Sequence, residues 1–216
     1  MYIRKDGYYR LAKQQGYRSR ASFKLIQLDN SYHLLRHGSR VLDIGAAPGG
    51  WMQVIMDVIG EHGTVVGIDL LDIPPMKNQT NKTGKKYTSG AVTIKGDIQD
   101  PLIRQQAVAA VNGKFDTVVS DMSVNISGNA SSDNAKNLGL AQLVVSYLPE
   151  LLKNNGNFLI KLFYSPDLKS FLKQAGLYFQ EVYTTKPPAS RSSSSELYLI
   201  GKGFIPAPAA ALPDKG

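Results

Sequence analysis

Cysteine is absent from this 216-residue chain, and histidine occurs only at His33, His37 and His62. Without cysteine there can be no disulfide framework, no thiolate zinc site and no cysteine nucleophile. We expect the three histidines to have structural or surface roles, and we expect no metal ion. Catalytic groups must therefore be sought among the other side chains.

Long apolar runs are also missing. No segment approaches the roughly eighteen apolar residues that a membrane-spanning helix needs. The amino-terminal residues lack the apolar stretch of a secretory signal, so we expect a cytoplasmic protein without membrane attachment. With 43% hydrophobic residues the chain can bury one full core. We predict a single domain over residues 1–204 and a flexible, proline- and alanine-rich tail over residues 205–216.

Acidic residues are scarce at the start of the chain, and basic residues are frequent there. Residues 1–36 hold eight Lys and Arg against two Asp, which accounts for six of the eight net positive charges. Tyrosine and phenylalanine are interleaved with these cations. A basic, aromatic-rich helical segment is typical of an RNA-binding surface. A solvated helix face that keeps the protein soluble would have the same pattern, so both interpretations stay open.

Apolar segments alternate between strand and helix patterns along the chain. The strand pattern predicts strands at residues 40–44, 64–69, 91–95, 115–121, 157–163, 178–184 and 197–201. The helical pattern predicts helices at residues 20–36, 50–60, 100–112, 136–154 and 167–175, with polar loops at 71–90 and 122–134. This alternation is typical of a doubly wound α/β domain with a mostly parallel sheet. The last two strands lack a helix-length connection, so we expect them to pair antiparallel.

The first predicted strand runs directly into a glycine-rich turn within Val41–Trp51. The turn lacks the Gly-Lys-Ser/Thr of a Walker A loop, and Ala47-Pro48 interrupt the spacing of a dinucleotide fingerprint. Its backbone can approach a ligand closely at Gly45, Gly49 and Gly50, yet no lysine is present to hold a phosphate. S-adenosylmethionine (SAM) suits such a turn, because it carries an adenosine and an amino-acid end but no phosphate.

Acidic residues stand at the ends of four successive predicted strands, at Asp43, Asp69, Asp97 and Asp121. In open α/β sheets ligands lie beyond the carboxyl ends of the strands. Asp43 could order the turn or hold the ammonium of the cofactor, and Asp69 could accept the ribose hydroxyls. Asp97 could accept the adenine amine, and Asp121 would lie beside the reactive end. Acids are common at such junctions, but four of them beside a glycine turn favour a cofactor site.

A lysine lies inside the apolar fifth strand, at Lys161 within Phe158–Phe163. Such a central strand should be buried, and a buried lysine carries a desolvation cost unless it has carboxylate partners or serves chemistry. The alternative is a lysine at the end of the strand with its amine in water. The sequence pattern is compatible with either position.

Short motifs along the chain resemble, in order, those of the FtsJ/RrmJ-like RNA methyltransferases, which methylate ribose 2′-hydroxyls with SAM. These motifs are Arg20–Leu25, Asp43–Trp51, Ser120–Met122, Asn125–Gly128, Lys161–Phe163 and Ser190–Tyr198. The resemblance covers residues 10–203 and implies a Rossmann-like SAM methyltransferase fold, with a mostly parallel seven-stranded sheet, an antiparallel last strand and helices on both faces.

The resemblance also implies a set of site residues. Its catalytic Lys-Asp-Lys-Glu set falls on Lys24, Asp121, Lys161 and Glu196. Its cofactor contacts fall on Gly49, Trp51, Asp69, Asp97 and Asp121, beside Asp43, Gly45 and Gly50 from the turn itself. The chain departs from the family at Val124, where proline is usual, and at Tyr164–Pro166, where a Gln-Gly turn is frequent. Both departures flank the expected substrate entrance and bear on RNA selection more than on catalysis.

Substrates differ within this family. The short chain best resembles the form that methylates a uridine of large-subunit ribosomal RNA, within an assembled subunit, and we expect a monomer whose partner is RNA. The transfer RNA anticodon loop is the alternative substrate. A methyltransferase with a protein or small-molecule acceptor and a noncatalytic RNA-binding module are further alternatives, and the complete catalytic set argues against the second. Lys161 could serve as base or as a donor that orients the hydroxyl.

Overall fold

The computed structural model describes residues 7–76, 90–123 and 130–206. The tail predicted at 205–216 and the loop predicted at 71–90 lie largely outside these ranges, as does part of the loop predicted at 122–134. No helix within the described ranges is both long and apolar enough to cross a bilayer.

The described chain forms a seven-stranded sheet. The strands are β1 (Arg40–Ile44), β2 (Thr64–Asp69), β3 (Gly90–Lys95), β4 (Phe115–Ser120), β5 (Leu152–Phe163), β6 (Phe179–Thr185) and β7 (Glu196–Phe204). Their order across the sheet is β3-β2-β1-β4-β5-β7-β6. The strands from β3 to β5 in this order are parallel, and β7 is antiparallel to both of its neighbours. The predicted Rossmann-like sheet with an antiparallel last strand is confirmed.

Within the described ranges, six α-helices connect or precede these strands. They are α1 (Gly7–Gln14), α2 (Ser22–Tyr32), α3 (Gly50–Ile59), α4 (Pro101–Ala110), α5 (Ala130–Leu151) and α6 (Leu168–Ala175), and a short 3-10 helix covers Gly176–Tyr178. The start of α4 follows local rules, because Asp100 accepts a hydrogen bond from the Leu102 N–H at 2.9 Å and Pro101 occupies the first helical position.

Two helices near the amino terminus differ from the prediction. Helix α1 was not predicted, because it spans only eight residues and buries only Ala12 among them. Helix α2 ends at Tyr32 rather than at residue 36. His33 adopts a left-handed conformation with φ of 52°, and its N–H bonds to the Asp29 carbonyl at 2.7 Å. Leu34 is buried in the core from outside the helix.

Helix α5 starts earlier than predicted, and the predicted loop over 122–134 is wrong from residue 130 onward. Its polar first turn reads as a loop in the sequence, yet Asp133 there suits the positive end of the helix dipole. Asn137 donates to the Asp133 carbonyl at 2.8 Å. The helix also ends at Leu151 rather than residue 154, because the chain enters β5 at Leu152 and turns at Asn155, which has φ of 60°.

Successive side chains along each strand point to opposite faces of the sheet and pack into two separate hydrophobic cores. Leu42 and Ile44 of β1 pack on the face covered by α4, α5 and α6, whereas Val41 packs on the face covered by α2 and α3. Asp43 alternates with Leu42 and Ile44 and therefore lies on the α2–α3 side. The helices on both faces match the predicted architecture. The carboxyl ends of β1, β2, β4 and β5 consequently meet at one edge, where the candidate site lies.

Candidate active site

A buried ion pair joins the ends of β4 and β5. The Lys161 Nζ lies 3.1 Å from Asp121 Oδ1 and donates to the Asp121 carbonyl at 2.5 Å. The Lys161 side chain is only 8% exposed. The lysine in the apolar strand is therefore buried with a carboxylate partner, and its amine does not extend into water.

A second buried ion pair lies beside the first. The Lys24 Nζ is 2.7 Å from Glu196 Oε1 and donates to Oε2 at 2.9 Å. Lys24 comes from α2 and Glu196 from the first position of β7. The ammonium of Lys24 also lies 5.7 Å from the centre of the Tyr198 ring. The structure thus brings together all four residues of the expected catalytic set.

Tyr198 connects these pairs, and sequence reasoning missed it as a site residue. Its hydroxyl donates to Asp121 Oδ1 at 2.9 Å, and its position on β7 is directly opposite Lys161 on β5. Burial, together with the charges of Asp121 and Glu196, raises the pKa of Tyr198 well above its ordinary value, so the phenol stays protonated and donates. The signal was present in the sequence, because Tyr198 and Glu196 are two apart and share a face of their strand.

The charge of Glu196 is stabilised by its neighbours. Burial raises the pKa of Glu196, but the hydrogen bond from Lys24 and the positive charges of Lys24 and Lys161 outweigh this effect. The net pKa therefore lies below the ordinary value, and the carboxylate stays ionised at neutral pH.

A cleft of about 620 Å³ opens next to the Lys161–Asp121 pair. Its walls include four residues of the expected cofactor set, namely Gly45, Asp69, Asp97 and Asp121. Gly45 has φ of 80°, and a side chain there would collide with Met122, so this position requires glycine.

The carboxylates of Asp69 and Asp97 each organise the loop around them. Asp69 Oδ2 accepts from the Ala47 N–H at 2.9 Å, and its Oδ1 accepts from the Leu71 N–H at 2.8 Å. Asp97 Oδ1 accepts from the Gln99 N–H at 2.9 Å. Since a carboxylate has about four lone-pair sites, both retain acceptor capacity toward the cleft.

Asp43 is the most unusual of the four acids. It is 0% exposed, and within the described residues neither of its carboxyl oxygens has a hydrogen-bond partner. Burial, reinforced by the negative charges of Asp121 and Asp69, raises the pKa of Asp43 well above its usual value. A buried carboxyl group without a partner is costly, and a bound cation would offset that cost.

The remaining three expected cofactor residues lie on the other side of the turn. Side chains at Gly49 and Gly50 would collide with Arg18 and Ser19 of the amino-terminal segment, and neither glycine lines the cleft. Trp51 is buried, donates to the Ala21 carbonyl at 2.8 Å and packs 6.2 Å from the Tyr198 ring. The pattern of these residues alone could not tell which side of the turn they face.

Much of the amino-terminal basic character serves internal contacts. Lys24 is in the ion pair with Glu196, and Arg20 donates to the Ala189 carbonyl at 2.5 Å. Arg10, Lys13 and Arg36 are exposed. Several of the interleaved aromatics pack together, with the Phe23 ring 5.5 Å from Tyr8 and 5.7 Å from Tyr17. Arg4 and Lys5 lie outside the described residues.

Of the two departures from the family pattern, Val124 lies outside the described residues. Tyr164 follows β5 directly and is 70% exposed. Its N–H donates to the Ser195 carbonyl at 3.1 Å, and its carbonyl accepts from Asn134 at 2.8 Å. The backbone is therefore held while the ring faces solvent at the end of the strand that carries Lys161.

Comparison with solved structures supports the fold. The chain superimposes on a ribosomal RNA methyltransferase from Plasmodium falciparum with a TM-score of 0.75 and 27% identity, covering 88% of this chain and 99% of that one. It also superimposes on Aeropyrum pernix fibrillarin, solved with bound SAM, with a TM-score of 0.56 and 16% identity over 87% of this chain and 76% of that one. At that identity the second likeness concerns the fold alone.

Sequence comparison reaches further. Residues 17–204 match the FtsJ-like methyltransferase family. A protein named ribosomal RNA large subunit methyltransferase E from Natronomonas pharaonis is 43% identical over 95% of this chain and 76% of its own length. A protein of the same name from Methanothermobacter thermautotrophicus is 39% identical over 93% of this chain and 90% of its own length. With a family match over most of its length and relatives this similar, the chain belongs to the FtsJ-like methyltransferases.

Proposed function

We propose that this protein uses SAM to methylate a ribose 2′-hydroxyl of ribosomal RNA, at a uridine of the large subunit. The observation that carries the proposal is the buried Lys161–Asp121 pair, 3.1 Å across, at the edge of an acid-lined cleft. The names of the relatives support ribosomal RNA as the substrate. The choice of a 2′-hydroxyl and of uridine rests on the catalytic set and on the resemblance.

The cleft suits a cationic, phosphate-free cofactor. SAM carries a sulfonium and an ammonium, and the acids that line the cleft offer matching charge at Asp69, Asp97 and Asp121. The buried Asp43 would ionise when it pairs with the ammonium. Asp69 would hold the ribose hydroxyls, Asp97 the adenine amine and Asp43 the ammonium, directly or through a water molecule. A volume of about 620 Å³ falls within the usual range for ligands of this size. When bound, SAM supplies the methyl group.

The catalytic cluster would position the acceptor hydroxyl. Lys161 uses two N–H groups on Asp121, so its ammonium has a third donor to direct at the ribose oxygen. Asp121 is held in turn by the Tyr198 hydroxyl. Holding the oxygen in line with the methyl group supplies several kcal/mol of the barrier reduction. As the oxygen–carbon bond forms, the sulfur–carbon bond of the sulfonium would break and leave a neutral thioether. The hydroxyl proton would pass to a carboxylate of the cluster, Asp121 or Glu196, because the ammonium of Lys161 has no lone pair to accept it.

Exposed cations on two elements supply the proposed RNA surface. Arg10 and Lys13 lie on α1, and Lys186 and Arg191 lie in the loop that leads to Glu196. The exposed ring of Tyr164 offers a surface on which a nucleobase can stack. Phosphate contacts of this kind make affinity fall steeply with salt.

Transfer of a labelled methyl group from SAM tests the proposal. Purified protein is given hypomethylated large ribosomal subunits, bulk transfer RNA and a protein mixture in parallel. We expect label at a ribose 2′-oxygen of a uridine in the subunits, and none with Lys161→Ala. Label in transfer RNA would keep the chemistry but reject the substrate. Label in protein, or no label despite SAM binding, would reject the acceptor.

A further inference from the structure

The amino-terminal segment packs against the glycine turn and the start of α3. Hydrogen bonds join them, and each side donates some of these bonds and accepts others. Ser22 donates to the Gly50 carbonyl at 2.9 Å. Gln53 of α3 donates to the Gly16 carbonyl at 3.0 Å and accepts from the Arg18 N–H at 2.8 Å. These bonds fix the backbone of residue 18 against the turn and the start of α3.

The guanidinium of Arg18 bridges two loops from this fixed point. Its Nη1 donates to the Pro48 carbonyl at 3.0 Å and to the Pro74 carbonyl at 2.7 Å, and its Nη2 donates to the Pro75 carbonyl at 2.6 Å. Pro48 belongs to the glycine turn, and Pro74 and Pro75 belong to the segment after β2. Residues of both loops line the acid-rich cleft.

Proline explains why an outside donor is needed here. Proline has no N–H, so segments rich in it have fewer backbone donors with which to satisfy each other's carbonyls. Arginine has five N–H groups in a planar fork and can serve several acceptors at once. Lysine has a single nitrogen at the end of a flexible chain and cannot span three carbonyls in the same way.

Packing around Gly49 supports this role. A Cβ atom at Gly49 would lie 2.6 Å from Arg18 Nη1 and 3.2 Å from Met76 Sδ. The guanidinium therefore lies directly on the glycine turn. Met76, from the segment after β2, is buried and also contacts the turn at Gly49. The need for glycine at position 49 comes from this contact and from its φ of 98°.

We propose that Arg18 is a positioning residue that holds the glycine turn and the loop after β2 in the geometry that binds SAM, and that it does not contact RNA phosphate. The proposal rests on the proposed function and changes the interpretation of the basic segment. One of its cations serves the cofactor site through backbone carbonyls, while exposed neighbours such as Arg10 serve RNA.

The test uses Arg18→Lys and Arg18→Gln, with Arg10→Lys and Arg10→Gln as matched controls. SAM affinity is measured by calorimetry, and binding of radiolabelled large-subunit ribosomal RNA is measured at several salt concentrations. We expect both Arg18 variants to weaken SAM binding by about tenfold to a hundredfold, because that is the usual effect of losing a hydrogen bond from a charged group that holds a binding loop. Their RNA affinity should stay within about twofold of that of the wild type. Arg10→Gln should weaken RNA binding and leave SAM binding unchanged.

A phosphate contact would give the opposite pattern. Arg18→Gln would then lower RNA affinity and make the salt slope shallower by about 0.7–0.9, Arg18→Lys would restore both, and SAM binding would be unchanged. Either that pattern or wild-type SAM affinity in Arg18→Lys overturns the proposal. If Arg18→Gln does not fold, the charge-preserving Arg18→Lys still decides the question.

Hydrogen exchange separates this proposal from the proposed function. In the cofactor-free protein, Arg18→Lys should speed amide exchange at residues 45–50 and 70–73, and Arg10→Lys should not. This readout needs neither SAM nor RNA. It therefore tests whether Arg18 holds the two loops even if the wild-type protein binds no SAM. Unchanged amide exchange in Arg18→Lys would overturn the proposal that Arg18 holds the two loops. Absence of SAM binding by the wild-type protein would overturn the cofactor assignment instead.

Discussion

Lys161 is the residue on which the proposed chemistry depends most. Replacing it with alanine removes the donor aimed at the ribose oxygen, and we expect methyl transfer to fall by about 10²–10⁴-fold, the usual contribution of a positioned acid–base group. SAM affinity should not weaken, because Lys161 is not among the residues that line the cleft. Single-turnover assays with labelled SAM measure both quantities.

The matched control for this variant is Lys153→Ala. Lys153 lies at the start of β5, the end of the strand that is far from Lys161. This control also removes a lysine from an ion pair, in which Lys153 Nζ lies 2.6 Å from Asp116 Oδ1. We expect it to retain near wild-type methyl transfer. Equal losses in the two variants would show that activity falls through general destabilisation, and full activity of Lys161→Ala would reject the catalytic role.

Asp43 makes stability depend on pH in a specific direction. Its pKa in the folded protein is raised by burial and by the charges of Asp121 and Asp69, so the folded state holds a proton that the unfolded state releases. Stability from this group is complete below the ordinary pKa of aspartate, near 3.9, and is lost as pH rises from there toward the raised value.

Asparagine at this position cannot ionise and removes that loss. We expect Asp43→Asn to raise the free energy of unfolding at pH 7 by about 1.4 kcal/mol for each unit by which the pKa of Asp43 is raised up to that pH, with a much smaller difference near pH 4. Urea unfolding at both pH values measures this, and SAM affinity should fall in the same variant. Destabilisation at both pH values would contradict the expectation.

At the scale of elements, the Lys24–Glu196 pair fastens α2 to the start of β7. The lowered pKa of Glu196 means that this contribution is present above the ordinary glutamate pKa and is lost as pH falls through the folded value. Glu196→Gln leaves a buried lysine without its charge partner and should cost about 3 kcal/mol in urea unfolding at pH 7, the low end for such a loss because both side chains keep slight exposure. The double variant Lys24→Met/Glu196→Leu should recover part of that loss. Additive losses would show that the two side chains are not energetically coupled.

Helix α1 should act in RNA binding rather than in folding of the core. Its exposed Arg10 and Lys13 bury little surface. Changing both to glutamine should make the slope of log affinity against log salt shallower by about 1.4–1.8, because two phosphate contacts are lost. The control changes Lys169 and Lys173, two exposed lysines of α6, and should leave the slope unchanged. Equal effects in both pairs would point to net charge rather than to α1.

At the scale of the whole molecule, cofactor binding should stabilise the fold. SAM at 100 times its Kd should add about 2.7 kcal/mol and raise the Tm by about 5–10 °C. ATP should give no shift, because the glycine turn has no lysine and the cleft carries carboxylates that repel phosphates. Thermal scans with each ligand measure this. Stabilisation by ATP alone would contradict the SAM assignment.

Periodic apolar segments were predicted best. The bounds of β1 and β2 agree with the prediction, because each is a short apolar run ended by glycine or aspartate. Helix α1 was not predicted because it is only eight residues long. The first turn of α5 was not predicted because polar residues without an apolar period give no helical signal. The positions of Asp69, Asp97 and Asp121 around one cleft followed from strand ends in a parallel sheet, which meet at one edge.

The sequence by itself determined the order of the strands and of every described α-helix except α1, the glycine turn and the four acids, because these depend on local periodicity and on the direction of parallel strands. Only the tertiary structure decided which cations are exposed. Arg10 and Arg18 are alike in the sequence, yet one lies in solvent and the other holds three proline carbonyls. The tertiary structure also decided that the Tyr198 hydroxyl bonds to Asp121, because these two residues are 77 positions apart in the chain. The partner that a side chain contacts depends on segments that are distant in the chain, so no local sequence pattern encodes it.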